Sequence, residues 1–268
     1  MEKGGRAVTG DTHVEAAEGR RLMAGHVAPF AVWIGVMLLL EAIGSFTIVP
    51  RAWYPLSYAA KSAICAGLFL WLRPWRVYPA LRMGQLPLAL AAGLVVAALW
   101  IVPEMPWVGR VAPGFQEFYH RWLIMMPGAL PGYFNTDFYP ALPPGHLSMA
   151  FAPEEAGWGL TLMKLAGSAC VIAVVEEFFF RGFFYRWIRK GAFWEVPMGA
   201  FDRQAFWTVA AVFALEHDRW LAGLMAGVIY GWLAVRKGGG VWMAAVAHGI
   251  TNFVLGAYVI MSRQYGFW

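Results

Sequence analysis

Apolar residues fall into seven runs, at about 28–49, 54–72, 85–102, 157–188, 204–218, 220–235 and 240–261, with polar residues gathered between them. Several runs approach the roughly 20 residues that a helix needs to cross about 30 Å of hydrocarbon. The pattern predicts an all-α fold, a polytopic membrane helical bundle of about seven transmembrane helices. An eighth would arise if part of 103–156 entered the bilayer. The fourth run is long enough to protrude beyond the membrane. The fifth and sixth are short, which suits tilted helices or a pair joined by a tight turn at Asp218-Arg219 buried against its neighbours. Three regions follow. Residues 1–26 read as a disordered cytosolic tail, 27–156 as N-terminal spans with a long outer loop, and 157–262 as a second group of helices.

Composition supports the membrane. Of 268 residues, 60% are hydrophobic and 14% charged, against about 25% charged in ordinary soluble domains. The net charge of +5 does not point to nucleic acid, because Lys and Arg lie beside apolar runs rather than along one polar face. With the N-terminus in the cytosol, thirteen Lys and Arg fall in inner segments and five in outer ones. That bias favours this orientation, and the brevity of the chain leans towards a bacterial inner (plasma) membrane. The 103–156 connection is rich in Pro, Gly and aromatic residues, and its run Trp122-Leu123-Ile124-Met125-Met126 is apolar enough to dip into the bilayer. A lid and a plain interfacial cap are both consistent with it. Cys65 and Cys170 lie in apolar runs and read as small buried hydrophobes rather than as a disulfide or a thiolate metal site. Lys61 and Lys164 also interrupt apolar runs, where only snorkelling or an unseen partner accounts for them.

Three polar constellations stand out in the apolar second half. The fourth run carries Glu176-Glu177 followed by Arg181. Glu177 and Arg181 are spaced i, i+4, share a helix face and can pair. Glu176 is turned by about 100° from Glu177, so it remains free for general-base work. The fifth run ends Phe213-Ala-Leu-Glu216-His217, in which Glu216 is a weak candidate because adjacent positions do not face each other. The seventh carries His248-Gly-Ile-Thr-Asn252, whose imidazole and amide share one face and suit an oxyanion hole. Each constellation alone reads equally as a polar helix–helix contact. Helical rise measured from the inner basic anchors, however, puts Glu176, His217, His248 and Asn252 at similar depths, about 16–22 Å in. Ionisable residues in a bilayer helix cost roughly 2.5–3.5 kcal/mol each, so such agreement points to a site.

The order Glu-Glu-x-x-x-Arg, Phe-x-x-x-His, His-x-x-x-Asn resembles the three-motif signature of the CPBP/ABI family, the type II CAAX prenyl endopeptidases with related bacterial intramembrane proteases and bacteriocin-immunity proteins. The resemblance covers about residues 157–261, with Glu176, Glu177, Arg181, Phe213, His217, His248 and Asn252 in place. It implies a glutamate-dependent intramembrane endopeptidase. Glu176 with His217 would activate water, and His248 and Asn252 would stabilise the oxyanion. Glu177 and Arg181 would support them, Glu177 by helping His217, and Phe213 would pack. No cofactor is implied, with zinc on Glu176, His217 and His248 as the alternative. The partners expected are membrane lipid and a peptide or protein with a membrane anchor, cut near its C-terminus in CAAX-like processing or C-terminal sorting. A non-enzymatic immunity or scaffold protein of the same fold and a proton-coupled transporter are the competing readings.

Overall fold

The computed structural model describes residues 6–124 and 147–268. All seven apolar runs form helices, and no strand occurs among the described residues. In chain order the principal helices are α1 (Arg6–Gly44), α2 (Trp53–Leu72), α3 (Leu86–Ile101), α4 (Pro106–Val111), α5 (Pro113–Trp122), α6 (Pro153–Arg189), α7 (Arg203–Leu215), α8 (Trp220–Val235) and α9 (Val241–Ser262). Among the described residues five are long and apolar enough to cross a membrane, and α8 is a shorter apolar helix. The chain is an integral membrane protein built as a helical bundle.

Two expectations change. The chain is helical from Arg6, where the sequence predicts a disordered tail over 1–26. Ala, Glu, Arg and Met between residues 6 and 24 are good helix formers, and this stretch has partners. A Cβ on Gly19 would fall 2.4 Å from the Trp194 ring, and His26 is buried against Tyr78, Phe178 and Phe193. Second, Cys170 is exposed, whereas Cys65 is buried with its thiol 3.1 Å from the Pro29 carbonyl. The 103–156 connection contains α4 and α5, while Met125 and Met126 of its apolar run lie outside the described residues.

The bundle centres on α9, which packs against α3 and the middle of α6. Gly93 permits the first contact, since a Cβ there would lie 2.5 Å from the Ala247 carbonyl oxygen. α7 and α8 form an antiparallel pair joined at 216–219. That turn is buried on one side only: Asp218 is exposed, while Arg219 packs inward. Arg219 is 4% exposed and holds Glu104 through both Nε and Nη2, the latter at 2.9 Å. A second polar clamp lies at the other end of α6. There Arg186 donates to the Tyr78 hydroxyl at 2.9 Å and to the Val196 carbonyl at 2.7 Å, and His26 Nε2 lies 2.7 Å from the same hydroxyl.

α6 is not a plain α-helix. Gly167–Ile172 and Phe178–Phe184 are π-helical and bracket the ordinary turn Ala173–Glu177. A π-turn inserts an extra residue and is frequent at functional sites.

Candidate active site

The short α-helical turn between the two π-turns carries both glutamates. Glu177 is fully buried, and its Oε1 accepts from Arg181 Nη1 at 2.9 Å, the pair that i, i+4 spacing predicts. The same oxygen accepts from His248 Nδ1 at 3.1 Å. Glu177 therefore orients His248, not His217, because α9 rather than α7 passes beside it. Arg181 is itself 2% exposed. Its Nη2 donates to the Gly227 carbonyl of α8 at 3.0 Å, and its guanidinium lies 4.5 Å over the Phe213 ring. One ion pair thus joins α6 to α8 and α9.

Glu176 points elsewhere, as the 100° rotation requires. Its Oε2 lies 3.8 Å from His248 Nε2, on the wall of a cavity of about 740 Å³. His217, His248 and Asn252 line the same cavity, so residues from three helices meet there. Glu216 is exposed and is not on this wall.

Backbone carbonyls fix the protons. His217 lies one turn past α7, and its Nδ1 is 2.7 Å from the Phe213 carbonyl. A carbonyl only accepts, so Nδ1 carries hydrogen and a neutral His217 presents the Nε2 lone pair. The Phe213 ring lies tilted at 4.7 Å from the His217 ring and Trp100 meets it edge-on at 5.3 Å, so the imidazole has little freedom to turn. Asn252 Nδ2 donates one hydrogen to the Ser168 carbonyl in the first π-turn at 3.0 Å, leaving the other free.

Sequence reasoning did not single out Tyr230 or Thr251. Tyr230 stacks on His248 with ring centres 4.9 Å apart, and its hydroxyl donates to Thr251 Oγ1 at 2.6 Å. Thr251 in turn lies 2.9 Å from the Gly93 carbonyl. The one available signal for Thr251 was its place beside Asn252. Among the described residues no three His, Cys, Asp or Glu side chains form a group that could hold a metal.

Fold and site together define a polytopic membrane protein whose helices converge on a buried carboxylate–imidazole–amide cluster beside a cavity. Residues 158–254 match the family described as type II CAAX prenyl endopeptidase Rce1-like. All three motifs lie in the matched stretch. No curated protein and no solved structure matches the chain.

Proposed function

We propose that the protein is an intramembrane glutamate-dependent endopeptidase, hydrolysing a peptide bond near the C-terminus of a membrane-anchored or lipidated protein or peptide. The observation that carries this reading is the meeting of Glu176, His217, His248 and Asn252 on one cavity wall, within the stretch that matches the protease family. In the proposed reaction Glu176, assisted by the His217 Nε2 lone pair, takes a proton from water. The water oxygen bonds to the scissile carbonyl carbon, and the carbonyl oxygen becomes an oxyanion. The free Asn252 Nδ2–H and a His248 Nε2–H donate to it. The Glu177 carboxylate accepts from His248 Nδ1 and so holds the ring with Nε2 towards Glu176. When the intermediate collapses the C–N bond breaks, and the proton held by Glu176 passes to the leaving amine.

Neither glutamate has to be shared between duties. Arg181 and His248 occupy Glu177, and Glu176 is left for the water. The chemistry uses side chains and water alone.

The test compares wild type with Glu176→Gln in native membranes by profiling the C-termini of membrane and surface proteins with mass spectrometry. The amide keeps shape and hydrogen bonding but cannot take the proton. Termini found with wild type and lost with the variant are expected. An unchanged profile, with both proteins present at equal levels, would overturn the reading.

A further inference from the structure

The Glu177 hydrogen bond holds His248 at one atom only. Glu177 Oε1 accepts from Nδ1 at 3.1 Å, which fixes the direction of that bond but leaves the ring able to turn about it. An oxyanion donor needs more, because an N–H···O bond weakens steeply once it bends below about 120°. Nε2 lies 3.8 Å from Glu176 Oε2 on the cavity wall, so a turn of the ring re-aims the atom that has to meet the oxyanion. Tyr230 of α8 supplies the missing restraint. Its ring covers one face of the imidazole, with centres 4.9 Å apart and planes at 19°, while Phe213 meets the imidazole edge-on at 5.7 Å. A ring flat against one face resists rotation about the Nδ1 bond, because turning would drive the imidazole into it.

The tyrosine is itself fixed by its tip. Its hydroxyl is 2.6 Å from Thr251 Oγ1, and that oxygen lies 2.9 Å from the Gly93 carbonyl and 3.1 Å from the Ala247 carbonyl. Carbonyls only accept, so the single Thr251 hydrogen goes to them and the Tyr230 hydrogen goes to Thr251. Thr251 stands three residues beyond His248, on the same face of α9. Tyr230 thus grips α9 at two successive points, ring on His248 and hydroxyl on Thr251, and Thr251 ties that grip to α3 through Gly93. Stacking alone asks only for a phenyl ring. A buried hydroxyl costs free energy unless it is bonded, and here its bond keeps the ring from sliding along the imidazole. Among the described residues the Tyr230 hydroxyl bonds to no member of the glutamate–histidine–asparagine cluster. α8 also reaches the cluster one turn earlier. There the Gly227 carbonyl receives Arg181, the partner of Glu177. Residues 227 and 230 share a face, so one stretch of α8 holds both the arginine that fixes Glu177 and the plane of the histidine that Glu177 orients.

We propose that Tyr230 is a positioning residue for the oxyanion step: its ring sets the plane of His248 and so the aim of Nε2–H, and Thr251 holds it in place through the hydroxyl. The inference rests on the endopeptidase reading and extends it, adding a residue whose effect on the reaction passes through His248.

The probes are a farnesylated peptide and its phosphonate analogue, in which a tetrahedral phosphorus with a negative oxygen replaces the scissile carbonyl. Both are offered to the full-length protein in phosphatidylcholine liposomes. Tyr230→Leu keeps apolar bulk and removes the flat face. A misplacement of about 1 Å costs roughly 10²-fold in rate, so kcat per folded protein is expected to fall about 10–100-fold with KM little changed. Phosphonate binding is expected to weaken by the same factor as kcat/KM, as a transition-state mimic requires. Tyr230→Phe and Thr251→Val keep the ring and are expected to lose about two- to tenfold, the worth of one net hydrogen bond. Their losses are expected not to add, since both break the same bond.

Phosphonate affinity in a His248→Ala background separates positioning from packing. There Tyr230→Leu is expected to cost nothing further, since the ring it would aim is gone. A full additional loss in that background, or a wild-type kcat in Tyr230→Leu, would overturn the positioning role and leave the endopeptidase standing. A raised KM with unchanged kcat would assign Tyr230 to peptide binding and overturn it equally. If Tyr230→Leu does not accumulate, Tyr230→Phe and Thr251→Val decide, and wild-type kcat in both would overturn the role. Wild type that neither cleaves the peptide nor binds the phosphonate more tightly than the peptide would overturn the endopeptidase reading, and the positioning role with it.

Discussion

At the residue scale, Glu177 carries more of the cluster than its neighbour. One of its oxygens serves Arg181 and His248 together, so its charge both balances a buried guanidinium and sets the histidine proton. Glu177→Gln keeps the shape and removes the charge. In a serine protease, neutralising the carboxylate that orients the histidine costs about 10⁴ in kcat, and a fall of about 10²–10⁴ is expected here with little change in KM. The variant is also expected to melt lower, since stranding a buried partner costs about 3–5 kcal/mol. Kinetics with a lipidated peptide substrate and a thermal unfolding scan read the two effects separately. A lowered melting point with unchanged kcat would reduce Glu177 to packing. Part of this was legible in the sequence. Spacing of i, i+4 showed the Glu177–Arg181 pair, and the 100° offset showed that Glu176 is free. The Glu177–His248 bond was not legible, because no local rule relates residues on helices that meet through tertiary packing. Tyr230 was missed for a similar reason: a tyrosine in an apolar run is unremarkable until its ring is found against His248.

At the scale of elements, α7 and α8 approach closely enough to replace length with fit. A Cβ on Gly227 would lie 3.0 Å from the Ala210 carbonyl oxygen and 3.1 Å from its Cα. Small residues let helices in lipid draw together, where hydrophobic burial gives little drive. Gly227→Leu must push α8 away and take the carbonyl that receives Arg181 with it. A loss of about 1–3 kcal/mol is expected from overpacking, read as a lower melting temperature in detergent and a smaller yield. Gly35→Leu on α1, where nothing lies within 4 Å of the added Cβ, is the control and is expected to melt like wild type. An equal loss in both would show that the glycine contact has no special weight. Hydropathy located both short helices and the turn between them. It could not show the π-turns of α6, because a helix apolar on nearly every face carries no periodicity from which a skipped residue could be read.

At the scale of the whole molecule, two polar clamps close the bundle at opposite ends of the cavity-bearing helices. Glu104 and Arg219 form one, and His26, Tyr78 and Arg186 the other. Tyr78→Phe deprives Arg186 and His26 of their shared hydroxyl, and a loss of about 1–3 kcal/mol is expected from the polar groups left unpaired. The cleavage rate per folded protein is expected to stay unchanged, which distinguishes this clamp from the cavity; a changed rate would tie the clamp to the site. That the apolar runs are helical, and that their polar groups converge, was legible from run lengths and from depth counted off basic anchors; the seven spans expected are five helices long enough to cross and a shorter apolar one among the described residues. The clamps were not, since each joins segments far apart in the chain. The wide turn at Gly167–Ile172 sets a constraint of another kind, on counting rather than chemistry. An ordinary helix rotates about 100° per residue. A one-residue gap in this turn would swing Lys164 off the cavity wall while Glu176, Glu177 and Arg181 kept their places. A substitution along this helix leaves its register intact, but an insertion or deletion between Lys164 and Glu176 would change which of its residues face the cavity together.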